Sequence, residues 1–106
     1  MFQGMFGNSY EDLSAAAFKE TLENTANAVL IDVRTPAEFD GGAIQNAKNI
    51  DIMSYEFGQE IAKLSKDKTY MVYCRSGNRS GQACAAMSKL GLTCYNLAGG
   101  ISSWPY

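Results

Sequence analysis

Within seven residues, Cys74-Arg75-Ser76-Gly77-Asn78-Arg79-Ser80, the chain sets a thiol, two guanidinium groups, two hydroxyls and a glycine. The segment follows the apolar run Thr69-Tyr70-Met71-Val72-Tyr73 and precedes an amphipathic stretch that begins near Gly81. Strand, short polar loop, helix is the order this implies, with Cys74 at a helix N-terminus. Backbone N–H groups there lack intrahelical partners and bind anions. A thiol so placed ionises more readily than a free one, because N–H dipoles and nearby cations stabilise the thiolate. Arg75 and Arg79 are two of the three arginines in the chain, and all six lysines lie elsewhere. Guanidinium is thus concentrated where a planar, multidentate anion contact is useful, which ammonium provides less well. The competing description is a cysteine at a strand end followed by an ordinary turn, which leaves the clustering of arginines unexplained.

The elements that must hold this loop are legible in the apolar pattern. Tyr10-Glu11-Asp12-Leu13 predicts a short edge strand, and Ser14 an N-cap for a helix over 15–24. Ala28-Val29-Leu30-Ile31-Asp32-Val33 is nearly continuous in apolar residues, as a strand covered on both faces requires. Thr35-Pro36-Ala37-Glu38 combines a capping box with proline at the first helical position. Lys48-Asn49-Ile50 predicts another short strand, and Phe57, Ile61 and Leu64 predict a helix over 54–65. Ala83, Ala86 or Met87, and Leu90 give the helix after the loop its buried stripe, with Gly91 placed to end it. Residues 92–97 form a last strand, followed by a Gly99-Gly100 turn and one helical turn towards Trp104. Strands alternating with helices imply an α/β fold with a central, mostly parallel sheet of about five strands and helices on both faces. Ligands of such sheets bind beyond the carboxyl ends of the strands, where Cys74 falls.

Composition narrows the chemistry further. With 106 residues the chain forms one domain over 9–106, after a loose Gly/Met/Phe-rich lead-in at 1–8. A net charge of −2 argues against nucleic-acid binding, and no apolar run reaches membrane-spanning length. The N-terminus lacks the pattern of a signal peptide, so a cytoplasmic location is expected. Cys74, Cys84 and Cys94 make an odd, widely spaced set that suggests neither a disulfide framework nor a zinc site. Cys84 and Cys94 read as small core residues, with a resolving-thiol role as the alternative. The chain has no histidine, which removes Cys-His and Ser-His-Asp catalysis and histidine metal sites. Neither a cofactor nor a metal is expected. Any reactivity of Cys74 must come from dipoles, arginines and hydrogen bonds.

Three activities fit such a loop: sulfur transfer through a persulfide, phosphate or arsenate chemistry, and anion or protein binding without catalysis. Several separated segments bear on the choice. Residues Leu30-Ile31-Asp32-Val33-Arg34-Thr35-Pro36-Ala37-Glu38-Phe39, Gly42 to Ile50, Cys74 to Ser80 and Leu97 to Trp104 resemble, in order, the signatures of the rhodanese (thiosulfate sulfurtransferase) family. The resemblance covers about residues 9–104. It implies a rhodanese-like three-layer fold, Cys74 as nucleophile, residues 75–80 as the substrate or anion-binding loop, and a supporting ion-pair network from Asp32, Arg34 and Glu38. It also implies a small anionic sulfur donor, such as thiosulfate or a persulfide, and cyanide or a thiol as acceptor, including a thioredoxin-like protein. Ala43 and Asn46 stand where the family commonly has histidine and glycine. Asparagine accepts positive φ better than most residues, so that turn is expected to survive. Four residues separate Cys74 from Arg79, one fewer than in the cysteine phosphatases that share this fold. The shorter loop resembles that of the sulfurtransferases and makes a phosphatase or arsenate reductase the lesser alternative, beside a non-catalytic regulatory module.

Overall fold

The structure, a computed structural model, describes residues 9–106. The expected lead-in at 1–8 lies outside the described residues. In chain order the elements are β1 (Glu11–Leu13), α1 (Ala15–Asn24), β2 (Ala28–Asp32), α2 (Pro36–Asp40), β3 (Lys48–Asn49), α3 (Phe57–Ala62), β4 (Thr69–Tyr73), α4 (Asn78–Lys89) and β5 (Thr93–Leu97), then a 3₁₀ turn at Ile101–Ser103. The five strands form one sheet in the order β1-β5-β4-β2-β3, every pair parallel. Each connection is therefore a crossover, and the crossovers cover both faces.

The two faces follow from side-chain alternation along the central strands. Tyr70, Val72 and Cys74 point to one side with Ile31, Val33 and Ile50, where Ile61 of α3 and Ala83, Cys84 and Met87 of α4 close over them. Met71 and Tyr73 point to the other side with Leu30 and Leu97, beneath Phe18 of α1. Trp104 anchors this second face through an edge-to-face contact with Phe18, ring centres 5.9 Å apart. Cys84 and Cys94 are core residues, as their apolar settings suggest.

Local signals act where the sequence places them. The Ser14 hydroxyl accepts from the Ala17 amide at 3.2 Å and starts α1. Thr35 and Glu38 form a complete capping box on α2, with Pro36 in its first turn. Asn46 has φ of +72°, the one positive-φ residue other than glycine among the described residues. The turn that the family pattern assigns to glycine is thus kept by asparagine.

Two helix starts differ from expectation. α3 begins at Phe57 rather than 54, because Asp51 and Ser54 accept from the amides of Met53 and Glu56 and hold residues 51–56 in turns. α4 begins at Asn78 rather than near Gly81. Gly77, at φ +102°, turns the chain into the helix three residues early, so Asn78, Arg79 and Ser80 belong to its first turn.

Candidate active site

Cys74 leaves the carboxyl end of β4 at the centre of the sheet. The left-handed turn at Gly77 folds the loop back, so that the Gly77 amide donates to Cys74 Sγ at 3.1 Å. Ser80, one turn into α4 and fully buried, donates its hydroxyl to the same sulfur at 3.2 Å. Burial pushes the thiol up, and the Ser80 hydroxyl with the backbone N–H groups of Ser80, Gly77 and Ser76 outweighs it, leaving Cys74 below the ordinary thiol range. The donors are neutral dipoles on a helix N-terminus rather than the two arginines.

The arginines take different positions. Arg79 is held by a two-pronged pair with Glu38 of α2, at 2.8 and 3.0 Å. The guanidinium first, and then the Thr35 amide, hold the Glu38 carboxyl down to about 2. Arg79 is thereby fixed at the rim of the loop, and its charge reaches Cys74 without a direct contact. Arg75 is exposed and makes no ion pair among the described residues. Its guanidinium is the one in the loop that faces solvent without a carboxylate partner among the described residues. Ser76 and Asn78 are also exposed, and the Asn78 side chain accepts from Gln82 on its own helix.

Asp32 and Arg34 form a second, buried pair. Arg34 donates to Asp32 through its backbone amide, Nε and Nη2, at 2.7–3.1 Å, and through Nη2 to the Gly42 carbonyl at 2.7 Å. The Asn49 amide bridges the Asp32 and Arg34 carbonyls at 2.9 Å each. This cluster ties the end of β2 to β3 and to the turn at 42. The expected ion-pair network therefore consists of two separate pairs, one under the strand ends and one at the loop rim.

The loop is also gripped from below by the chain that follows β5. Ile101 and Ser102 donate backbone N–H groups to the Cys74 and Arg75 carbonyls at 2.9 and 3.1 Å. Gly100, at φ +64°, lies flat against this backbone, and a methyl group there would overlap the Arg75 carbonyl and the Ser76 nitrogen. Reading the loop alone misses this support. Its signal is the pair Gly99-Gly100, whose necessity appears only when two distant backbones meet. Asn96 was missed as well. Its signal is an amide side chain inside an otherwise apolar strand, donating to Gly77 O at 3.2 Å and to Asp12 Oδ1 at 2.9 Å.

The same fold recurs in known proteins. Residues 14–105 match the family model of the rhodanese-like domain. The chain belongs to the rhodanese-like domain family. Among rhodanese relatives, a sulfurtransferase of Allochromatium vinosum is 34% identical over 94 residues, 88% of this chain and 86% of that protein. The thiosulfate sulfurtransferase PspE of Escherichia coli is 37% identical over 71 residues, 67% of this chain and 68% of that protein. A crystal structure of a rhodanese-related protein from Thermoplasma volcanium superposes with a TM-score of 0.78, at 38% identity and 90% coverage of both chains. These relatives support a rhodanese-type sulfurtransferase. No helix among the described residues is long and apolar enough to cross a membrane.

Proposed function

We propose that residues 9–106 act as one sulfurtransferase unit, with Cys74 as the nucleophile and thiosulfate or a related sulfane-sulfur compound as donor. The observation that carries this reading is the convergence of the Gly77 amide and the Ser80 hydroxyl on the Cys74 sulfur. The thiolate attacks the outer sulfur of thiosulfate, the S–S bond breaks, and sulfite leaves with its electron pair. The same donors then hold the charge on the Cys74 persulfide. Cyanide or a thiolate attacks the terminal sulfur, takes it as thiocyanate or a new persulfide, and returns the Cys74 thiolate. Arg75 attracts and orients the anionic donor, while Glu38 fixes Arg79 so that the loop keeps its shape without a bound anion.

Burial favours sulfur over phosphorus. Cys74 is only 1% exposed, so a reagent must send an atom into the loop to reach it. A terminal sulfur is a single soft atom on a narrow stalk. A phosphoryl group presents three oxygens that each need donors around the nucleophile. Three free thiols, all of them buried, accord with a reducing compartment such as the cytoplasm. There, thioredoxin-like thiols are available as acceptors.

The test compares two substrates and three variants. Thiosulfate with cyanide should yield thiocyanate, and p-nitrophenyl phosphate should be hydrolysed negligibly. Cys74→Ala should lose the sulfur-transfer activity, while Cys84→Ala and Cys94→Ala keep most of it. Turnover of thiosulfate by Cys74→Ala overturns the assignment of the nucleophile. Faster turnover of the phosphate ester than of thiosulfate makes the protein a phosphatase.

A further inference from the structure

Asn96 is 4% exposed and sits on β5 directly opposite Asp12 of the edge strand β1. Its amide nitrogen has two hydrogens and meets two acceptors, Asp12 Oδ1 at 2.9 Å and the Gly77 carbonyl at 3.2 Å. Its own Oδ1 is buried without a partner. Reversing the amide would set that oxygen against a carboxylate and a carbonyl, so the two acceptors fix its orientation. Gly81 lacks a side chain where α4 passes over it, and a methyl group there would lie 3.6 Å from the Asn96 nitrogen. An amide with an orphaned oxygen is a costly core residue for a strand. Packing gives no reason for one here.

We propose that Asn96, oriented by Asp12, is a positioning residue that locks Gly77 in its left-handed turn and so aims the Gly77 N–H at the Cys74 sulfur. The inference rests on Cys74 being the nucleophile and names a support for it outside the loop. Gly77 has to hold φ at +102° for its amide to reach the sulfur. Glycine alone does not select that geometry, because it occupies many others at little cost. The helix amide of Gly81 and the Asn96 side chain both bond the Gly77 carbonyl, at 3.1 and 3.2 Å. Any helix supplies the first of these. The second comes from the sheet, and it stops the turn from swinging relative to β4, which carries the cysteine. Asp12 holds the amide so that its nitrogen faces the loop.

The charged and titratable groups around the loop are Arg75 within it, Arg79 and Cys84 on α4, Asp32 and Arg34 at the end of β2, Glu38 on α2, and Tyr10 and Asp12 at β1. Substitutions at Asn96 alter none of them. Substitutions at Asp12 remove a negative charge, which by electrostatics alone would lower the Cys74 midpoint. Loss of aim has the opposite sign, since a weaker Gly77 donor destabilises the thiolate.

The test is a titration of the Cys74 thiolate by its ultraviolet absorbance, with Cys74→Ala as blank, alongside thiosulfate turnover. Asn96→Leu keeps the size and removes the donor. It should raise the midpoint by about one pH unit and lower kcat/KM by up to about tenfold at neutral pH. Asp12→Ala should raise the midpoint by a smaller amount. Asp12→Asn, which still offers an acceptor oxygen, should return it towards the parent value. A folded Asn96→Leu protein with the parent midpoint overturns the proposal. Should Asn96→Leu not fold, an Asp12→Ala midpoint no higher than that of Asp12→Asn, which loses the same charge at the same exposed edge-strand position, overturns it equally. The midpoint is read on the thiol itself. An inactive parent protein would therefore refute the sulfurtransferase reading without touching this result.

Discussion

Replacing Ser80 by alanine tests how the Cys74 thiolate is stabilised. The substitution deletes one oxygen from a fully buried side chain and leaves Gly77 as a direct donor to the sulfur. It should not break the helix, since alanine is the best helix former. The lost bond is the 3.2 Å contact from the Ser80 hydroxyl, the strongest influence holding the thiol down against burial. A hydrogen bond to a charged group contributes about 1.5–3 kcal/mol, which corresponds to about one to two pH units on the thiol. The sign is fixed. The hydroxyl donates to the thiolate, so its loss must raise the Cys74 midpoint. At neutral pH the thiolate fraction, and with it the rate of the first sulfur-transfer step, should fall by up to about tenfold for each pH unit by which the midpoint rises. The assay is the pH dependence of iodoacetamide alkylation at Cys74, followed by mass spectrometry of the Cys74 peptide. The midpoint is the readout, since burial affects the absolute rate. Ser80→Thr keeps the hydroxyl and should shift the midpoint less than Ser80→Ala. An unshifted or lowered midpoint in Ser80→Ala would refute the reasoning, and the activation would have to come from the backbone N–H groups or the arginines instead.

Further outcomes follow from the surrounding contacts. Gly100→Ala should cost about 3 kcal/mol or more in urea unfolding, or displace the loop and abolish turnover, because its methyl group meets backbone rather than a movable side chain. Glu38, held at about 2 against an ordinary 4.5, contributes stability above 4.5 that is lost as pH falls towards 2. Glu38→Gln should therefore be less stable than the parent by about 1 kcal/mol at pH 7, the pair being partly exposed, and the gap should narrow by pH 3 in matched urea titrations. Inserting one small residue after Gly77 should abolish sulfur transfer, since the Gly77 amide and Ser80 can no longer converge on one sulfur. Thiocyanate formation from thiosulfate and cyanide reads this directly.

Much of the fold was legible because its signals are local or periodic. The Ser14 cap, the Thr35–Glu38 box, the apolar run at 69–73 and the glycine at 91 each specify a conformation within a few residues. Helix starts were less legible where side chains compete for the backbone. Asp51 and Ser54 hold a turn inside a helical apolar pattern, and Gly77 starts a helix without a conventional cap. At the site, the cysteine loop and the involvement of Asp32, Arg34 and Glu38 in ion pairing could be read from spacing or resemblance, but the split into two separate pairs could not. Nor could the division of labour between the arginines. Arg75 and Arg79 look alike in sequence, and only the approach of α2 shows that Glu38 engages one of them. Asn96, Asp12 and Gly100 act on the loop from 12 or more residues away in sequence, so their roles appear only when β1, β5 and the final turn assemble beside it.

The central claim is that sulfur passes through Cys74. Its most direct test is mass spectrometry of the protein after incubation with thiosulfate and removal of excess donor. One added sulfur atom on the Cys74 peptide, absent in Cys74→Ala and discharged by cyanide as thiocyanate, is the predicted result. Added sulfur only on Cys84 or Cys94, or thiocyanate formation with no sulfur carried by Cys74, would contradict the account.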